Sequence, residues 1–280
     1  MKRVLLRPEL LCLPLLVAFA ALLLWPLALL FFESVVNGGS GAGFTLRRYL
    51  DVVTIPRYRA AFLWSVCLSL AVAVFSTVAC LAPAWLFVRK EFAGKRWLRG
   101  AFALPMSFSG VIVGFLMIIM LGRSGFIPEL AQRLTGVPLF SGVAYQISGL
   151  FLAYLYFEIP RATLTLESAL RKFDVRLEAA AKSLGANRWQ RLVCVILPTI
   201  WPALISTFAV TFTVSLGSFG AALILSTRQV NLLPLEIFTQ YLAVPSDRPA
   251  AAAMAVMLTG IALGVNYGFR SWVEREIPRR

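Results

Sequence analysis

Six long apolar stretches, almost free of charge, leave this 280-residue chain few ways to fold. They are read as spans at Leu10–Phe32, Ala61–Val88, Ala101–Leu121, Val143–Ile159, Ile200–Leu225 and Ala250–Phe269, with Glu158 as the sole charged side chain among them. A helix rises about 1.5 Å per residue, so about 20 residues cross a hydrocarbon layer of about 30 Å. Lipid offers the backbone no hydrogen-bond partners, which restricts spanning segments to helices and closed barrels. A barrel requires short alternating strands, and the chain has no such pattern. The expected fold is therefore all-α, with six transmembrane helices in one integral membrane domain over residues 1–280. Within it, 1–60 supplies an extra N-terminal helix and an outer loop, and about 60–270 form the core.

The first span has features of a secretory leader. Lys2, Arg3 and Arg7 precede it, and Ala18-Phe19-Ala20 resembles a cleavage site. Its apolar run continues to Phe32, too long for a leader, and it is read as a retained helix. With the N-terminus in the cytoplasm, inside segments carry 19 of the 27 Lys and Arg residues and outside loops carry 8. The positive-inside rule then places both termini and the 160–198 loop in the cytoplasm. The net charge of +14 reflects this bias and points to anionic lipid, not to nucleic acid. Cys12, Cys67, Cys80 and Cys194 lie in or beside spans, so no disulfide framework is expected. The chain lacks histidine and any CxxC pair, and neither a metal site nor another cofactor is expected.

Outside the spans, a Gly-rich stretch at 36–43 precedes FTLRRYLDVV, whose apolar spacing predicts a short surface helix. FIPELAQRL and LLPLEIFTQYL predict two more, with Pro234 suited to a helix start.

The longest inside loop, 160–198, combines charge with helical periodicity. Leu166, Leu170, Phe173, Leu177, Ala181 and Leu184 recur at spacings that place them on one helical face. Asp174 is suited to cap a helix, and Glu178 falls in its first turn. Ala179, Ala180 and Ala181 leave room for a close partner. Gly185 suits a left-handed helix end, and Asn187 suits the start of the next helix, which runs towards Pro198.

These residues resemble the cytoplasmic signature of ATP-binding-cassette importer permeases: Glu-Ala-Ala, three residues, Gly, nine residues, Ile-x-Leu-Pro. Gly185 and Val195-Ile196-Leu197-Pro198 match its second half, with Val for the first Ile. In the first half Ala179 stands where the signature has glutamate, and Glu178 lies one position earlier. The resemblance extends over about 60–270 and implies the type I, MetI-like permease fold. It also implies a coupling surface built from Asp174, Leu177, Glu178, Ala179, Ala180, Ala181, Leu184, Gly185, Asn187 and Pro198. The implied partners are two ATPase subunits, a second permease (identical or related), and an extracellular or periplasmic solute-binding protein. The alternative for the loop itself is an amphipathic helix resting on the membrane.

In the fifth span Thr207, Thr211, Ser215 and Ser218 form a polar stripe, read either as lining of a translocation path or as helix packing. Gln146 and Ser148 are further path candidates. The run SLGSFG is similar to SLGEFG of polyamine, sulfate and molybdate permeases, with Ser218 replacing the acid. Polyamine permeases look nearest in this reading, with another small organic solute or an oxyanion as further substrates. Tyr154 and Tyr156 are read as interface anchors, and Glu158 as paired with Arg161. No GxxxxGK[ST] loop is present, so ATP must be hydrolysed by a partner chain and this subunit is not an enzyme. An ion-coupled transporter would need buried acids or broken helices in related halves. A membrane enzyme would need a clustered nucleophile or metal set. The sequence displays neither pattern.

Overall fold

A computed structural model describes residues 8–36, 43–226, 230–243 and 247–276. Most of the Gly-rich stretch lies outside these residues, as do Lys2, Arg3, Arg7 and Arg228. The described residues are overwhelmingly helical. In chain order the helices are α1 (Pro8–Val35), α2 (Arg47–Thr54), α3 (Pro56–Ala79), α4 (Leu81–Arg89) and α5 (Lys95–Ala103). They continue with α6 (Gly110–Leu121), α7 (Phe126–Thr135), α8 (Ile147–Leu170), α9 (Val175–Ser183) and α10 (Arg188–Arg191). The last four are α11 (Leu197–Leu216), α12 (Gly220–Leu225), α13 (Leu233–Leu242) and α14 (Arg248–Glu276).

Among the described residues, five stretches are long and apolar enough to cross a membrane: Pro14–Val35, Pro56–Arg89, Gly110–Thr135, Arg188–Leu216 and Arg248–Phe269. The sixth spanning helix, α8, is longer than its expected span and carries Glu158 at its middle and Arg161 and Glu167 in its C-terminal half. Four expected spans are interrupted. The fourth span breaks at Gln146, between a 3₁₀ turn at Val143–Tyr145 and α8. A turn at Cys80 separates α3 from α4, and a 3₁₀ turn at Leu104–Ser107 separates α5 from α6. The fifth span breaks at Gly217–Phe219, between α11 and α12. The three short surface helices are present as α2, α7 and α13.

The chain divides into two compact units, residues 1–59 with 236–259 and residues 60–235 with 260–280. In the first, α1 exposes Leu22, Trp25 and Phe31, side chains suited to hydrocarbon rather than water. Ser34 and Tyr49 share a hydrogen bond of 2.6 Å between α1 and α2. Arg48 pairs with Asp247 at 3.1 Å, and Asp247 also caps α14 by accepting from the Ala250 N–H. Glu236, fully buried, pairs with Arg57 at 2.9 Å and accepts from Gln240.

The second unit is organised around α8. One apolar cluster joins Leu68 and Val72 of α3, Val113 of α6, Leu150 and Tyr154 of α8, and Ala221 and Leu225 of α12. A second joins Cys80 and Ala84 to Leu166, Leu170 and Phe173, and to Ile196 and Ile200. Helices α6 and α12 meet through glycine. A Cβ added to Gly220 would lie 2.9 Å from the Val111 nitrogen, and one added to Gly114 would lie 2.7 Å from the Ile224 Cβ. Gly110 and Gly114 are four residues apart on one face, the spacing that lets two membrane helices approach at backbone distance.

Candidate functional site

The loop between α8 and α11 is built from local signals. Leu170 and Phe173 turn inward at the end of α8 and anchor it in the second cluster. Asp174 then caps α9, its carboxylate accepting from the Arg176 N–H at 2.9 Å. At the far end Gly185 adopts φ +83°, where a Cβ is strained. The Gly185 N–H donates to the Lys182 carbonyl and the Ala186 N–H to the Ala181 carbonyl, the paired bonds of a Schellman end. Asn187 opens α10 with a reciprocal capping box. Its side chain accepts from the Gln190 N–H at 2.8 Å, and the Gln190 side chain accepts from the Asn187 N–H at 2.9 Å. A single π turn, Leu192–Ile196, joins α10 to α11, and Pro198, which has no backbone N–H to donate, stands just after this junction.

One correction concerns the apolar face. Leu166, Leu170, Phe173, Leu177, Ala181 and Leu184 do not share one helix. The turn at 171–174 redirects the chain, so the first three residues are buried while Leu177 and Leu184 are exposed. The result is an apolar surface facing away from the core. Leu184 is 88% exposed and Trp189 is 71% exposed, alongside Val175, Leu177, Ala179 and Ala180.

Glu178 is turned the other way. It pairs with Arg89 of α4 at 2.8 Å and with Arg191 of α10 at 3.3 Å. Successive helix residues differ by about 100° around the axis, so placing the acid at 178 and not at 179 rotates it from the exposed face to an inner one. Arg89 lies over the rings of Trp85 and Phe173, at 4.6 and 5.3 Å. Glu167, fully buried in α8, pairs with Arg171 at 2.7 Å and with Arg99 of α5 at 3.1 Å. Local spacing carries no signal for Arg89 or Arg99, since each partner is more than 65 residues away in sequence.

Within this chain most of the polar stripe of the fifth span is packed inside. Thr207 and Thr211 are fully buried, and their hydroxyls donate to carbonyls of their own helix, Ala203 and Thr207. Ser215 is buried, Ser218 lies beyond the end of α11, and Gln146 is exposed before α8. The hydrogen bond that α11 makes with α14 uses Thr213, which accepts from Asn266 at 2.6 Å. Tyr154 is buried and donates to the Ser218 carbonyl at 2.7 Å, so it ties α8 to the broken segment and is not an interface anchor. Glu158 pairs with Arg161.

This architecture defines a multi-pass membrane permease with a structured loop between its fourth and fifth spans. The sequence profile of the binding-protein-dependent transport system inner membrane component family matches residues 76–275, and the chain belongs to that family. It is the non-catalytic permease subunit of a binding-protein-dependent, ATP-binding-cassette importer. The molybdenum transport system permease ModB of Escherichia coli K12 is 30% identical over 80% of this chain and 96% of its own length. The sulfate transport system permease CysT of the same organism is 29% identical over 77% of this chain and 76% of its own. A bacterial ABC transporter involved in the import of alginate shares the fold. It gives a TM-score of 0.78 at 17% identity, covering 96% of this chain and 95% of that one. The inward-facing MetNI methionine transporter gives a TM-score of 0.59 at 13% identity, covering 84% of this chain and all of that one.

Proposed function

We propose that this permease carries a small inorganic oxyanion of the sulfate or molybdate kind, and that α9–α10 is the surface through which ATP hydrolysis drives it. The kinship with molybdenum and sulfate permeases supports the anion reading. The polyamine resemblance carries less weight, because a polycation needs carboxylates. Ser218 replaces the acid of that motif, Glu158 is paired with Arg161, and Glu236 is paired with Arg57. Thr207, Thr211, Ser215, Ser218 and Gln146 remain candidates for the path once two permeases assemble.

The observation that carries the coupling reading is the apolar surface of Leu184, Trp189 and their neighbours on a chain that has no nucleotide-binding loop. We place that surface and both termini in the cytoplasm, on the distribution of Lys and Arg. We take the chain to act as one permease domain, with 160–198 as its coupling segment. The assembled complex in liposomes tests both parts. Sulfate or molybdate uptake should require ATP and the binding protein, and spermidine should not compete. Ala180→Arg should abolish binding-protein-stimulated hydrolysis. Competition by spermidine would overturn the anion reading, and unchanged hydrolysis in Ala180→Arg would overturn the coupling surface.

A further inference from the structure

We propose that the short loop 89–99 is a second arm of the coupling element, with Arg89 and Arg99 as positioning residues that bind it to the 160–198 loop. The inference rests on the coupling reading above and adds where the motion goes. The two arginines stand at opposite ends of the 89–99 loop: Arg89 closes α4 and Arg99 lies within α5. Each is paired with a carboxylate of the coupling region. Arg89 meets Glu178 on α9 at 2.8 Å, and Arg99 meets Glu167 on α8 at 3.1 Å. The two pairs therefore grip one loop at two points, and a body held at two points cannot pivot freely about either.

The surroundings favour transmission over an incidental surface contact. Exposed ion pairs contribute little because water competes for both partners. Here Glu167 has no exposed surface, although its partner Arg99 is 46% exposed, and the Arg89 and Glu178 side chains are 20% and 22% exposed. The guanidinium of Arg89 also lies over Trp85 and Phe173, which restricts its freedom. Glu178 holds a second partner, Arg191, on the far side of the Gly185 turn, so one carboxylate joins α4, α9 and α10. Glu167 likewise joins α5 to the last turn of α8 through Arg171. A push on α9 is thereby delivered to α4 and on into α3, movement of the end of α8 is delivered to α5 and on into α6, and α10 leads directly into α11.

The test uses the complete reconstituted complex, with ATP hydrolysis and solute uptake measured on the same vesicles. In Arg89→Glu the ATPase subunits still co-purify and basal hydrolysis persists, while uptake per ATP falls about ten-fold, within the usual range for lost coupling between sites. Arg89→Lys, which keeps the charge opposite Glu178, holds uptake per ATP within about three-fold of the original. A merely structural pair would lower uptake and hydrolysis together and leave their ratio fixed, and that result overturns the proposal. Should Arg89→Glu prevent assembly, Arg99→Glu and Arg99→Lys decide. A lowered ratio in the first with recovery in the second supports the second arm, and an unchanged ratio in Arg99→Glu overturns it. Failure of the coupling surface itself is a distinct outcome, seen as unchanged stimulated hydrolysis in Ala180→Arg.

Discussion

The coupling loop and the α6–α12 seam are held together by opposite means. The loop is fastened by caps and ion pairs: Asp174, the Gly185 turn, the Asn187–Gln190 box and the Arg89–Glu178–Arg191 group. Its apolar side chains at Leu184 and Trp189 are left outside. The seam is fastened differently. It rests on glycine backbones in contact and on Val113, Ala221 and Leu225 packed behind them. Polar fastening sets the shape of a segment while freeing its apolar surface for another protein. Backbone contact leaves no slack and suits a part of the membrane core that must keep its geometry.

The sharpest way to break this contrast is to load the seam. Gly220→Val places new atoms against the Gly110 and Val111 backbone, which cannot move aside as a side chain can. Overpacking of this kind costs about 1–3 kcal/mol or more. The variant should lose folded protein, measured as thermal stability and yield in detergent. Gly185→Pro comes next. Proline fixes φ near about −65° and cannot adopt the +83° found here, so the turn between α9 and α10 is lost. Stimulated ATP hydrolysis should disappear while the membrane core keeps its melting temperature. If the core melts as well, the loop and the core are not separately fastened.

Smaller effects refine the comparison. Asn187→Ala removes one cap and should cost about 1 kcal/mol locally. Hydrogen exchange should quicken at residues 188–191 and stay unchanged in α6. Glu129→Ala breaks an exposed pair with Arg133 within α7 and should change stability by less than about 0.5 kcal/mol. A large loss there would mean that α7 has a packing role that its exposed face does not reveal.

The legible and illegible features divide along the same physical line. Caps and helix ends are local, so Asp174, Gly185 and Asn187 are readable from a few neighbouring residues. Hydropathy marks where the chain crosses lipid but is blind to backbone breaks, so the interruptions at Cys80, Leu104–Ser107, Gln146 and Gly217–Phe219 are absent from the expected spans. Helical periodicity continues through the turn at 171–174 by coincidence of spacing, which merges two helices into one apparent face. Thr207 and Thr211 are open to both a lining and a packing reading from the sequence, because a threonine can satisfy its hydroxyl on its own helix wherever it faces. The Gly110–Gly114 spacing is a readable signal for close helix contact, though by itself it does not name Gly220 as the partner. Arg89 and Arg99 become visible as partners of Glu178 and Glu167 only when the chain is folded.

The most direct test of the central claim is a photo-crosslinking residue at position 184, in the intact complex within vesicles. The account requires a covalent adduct with the ATPase subunit, formed in the assembled complex and lost when Gly185→Pro is introduced. An adduct with lipid alone would show that α9 rests on the bilayer, and would contradict the account.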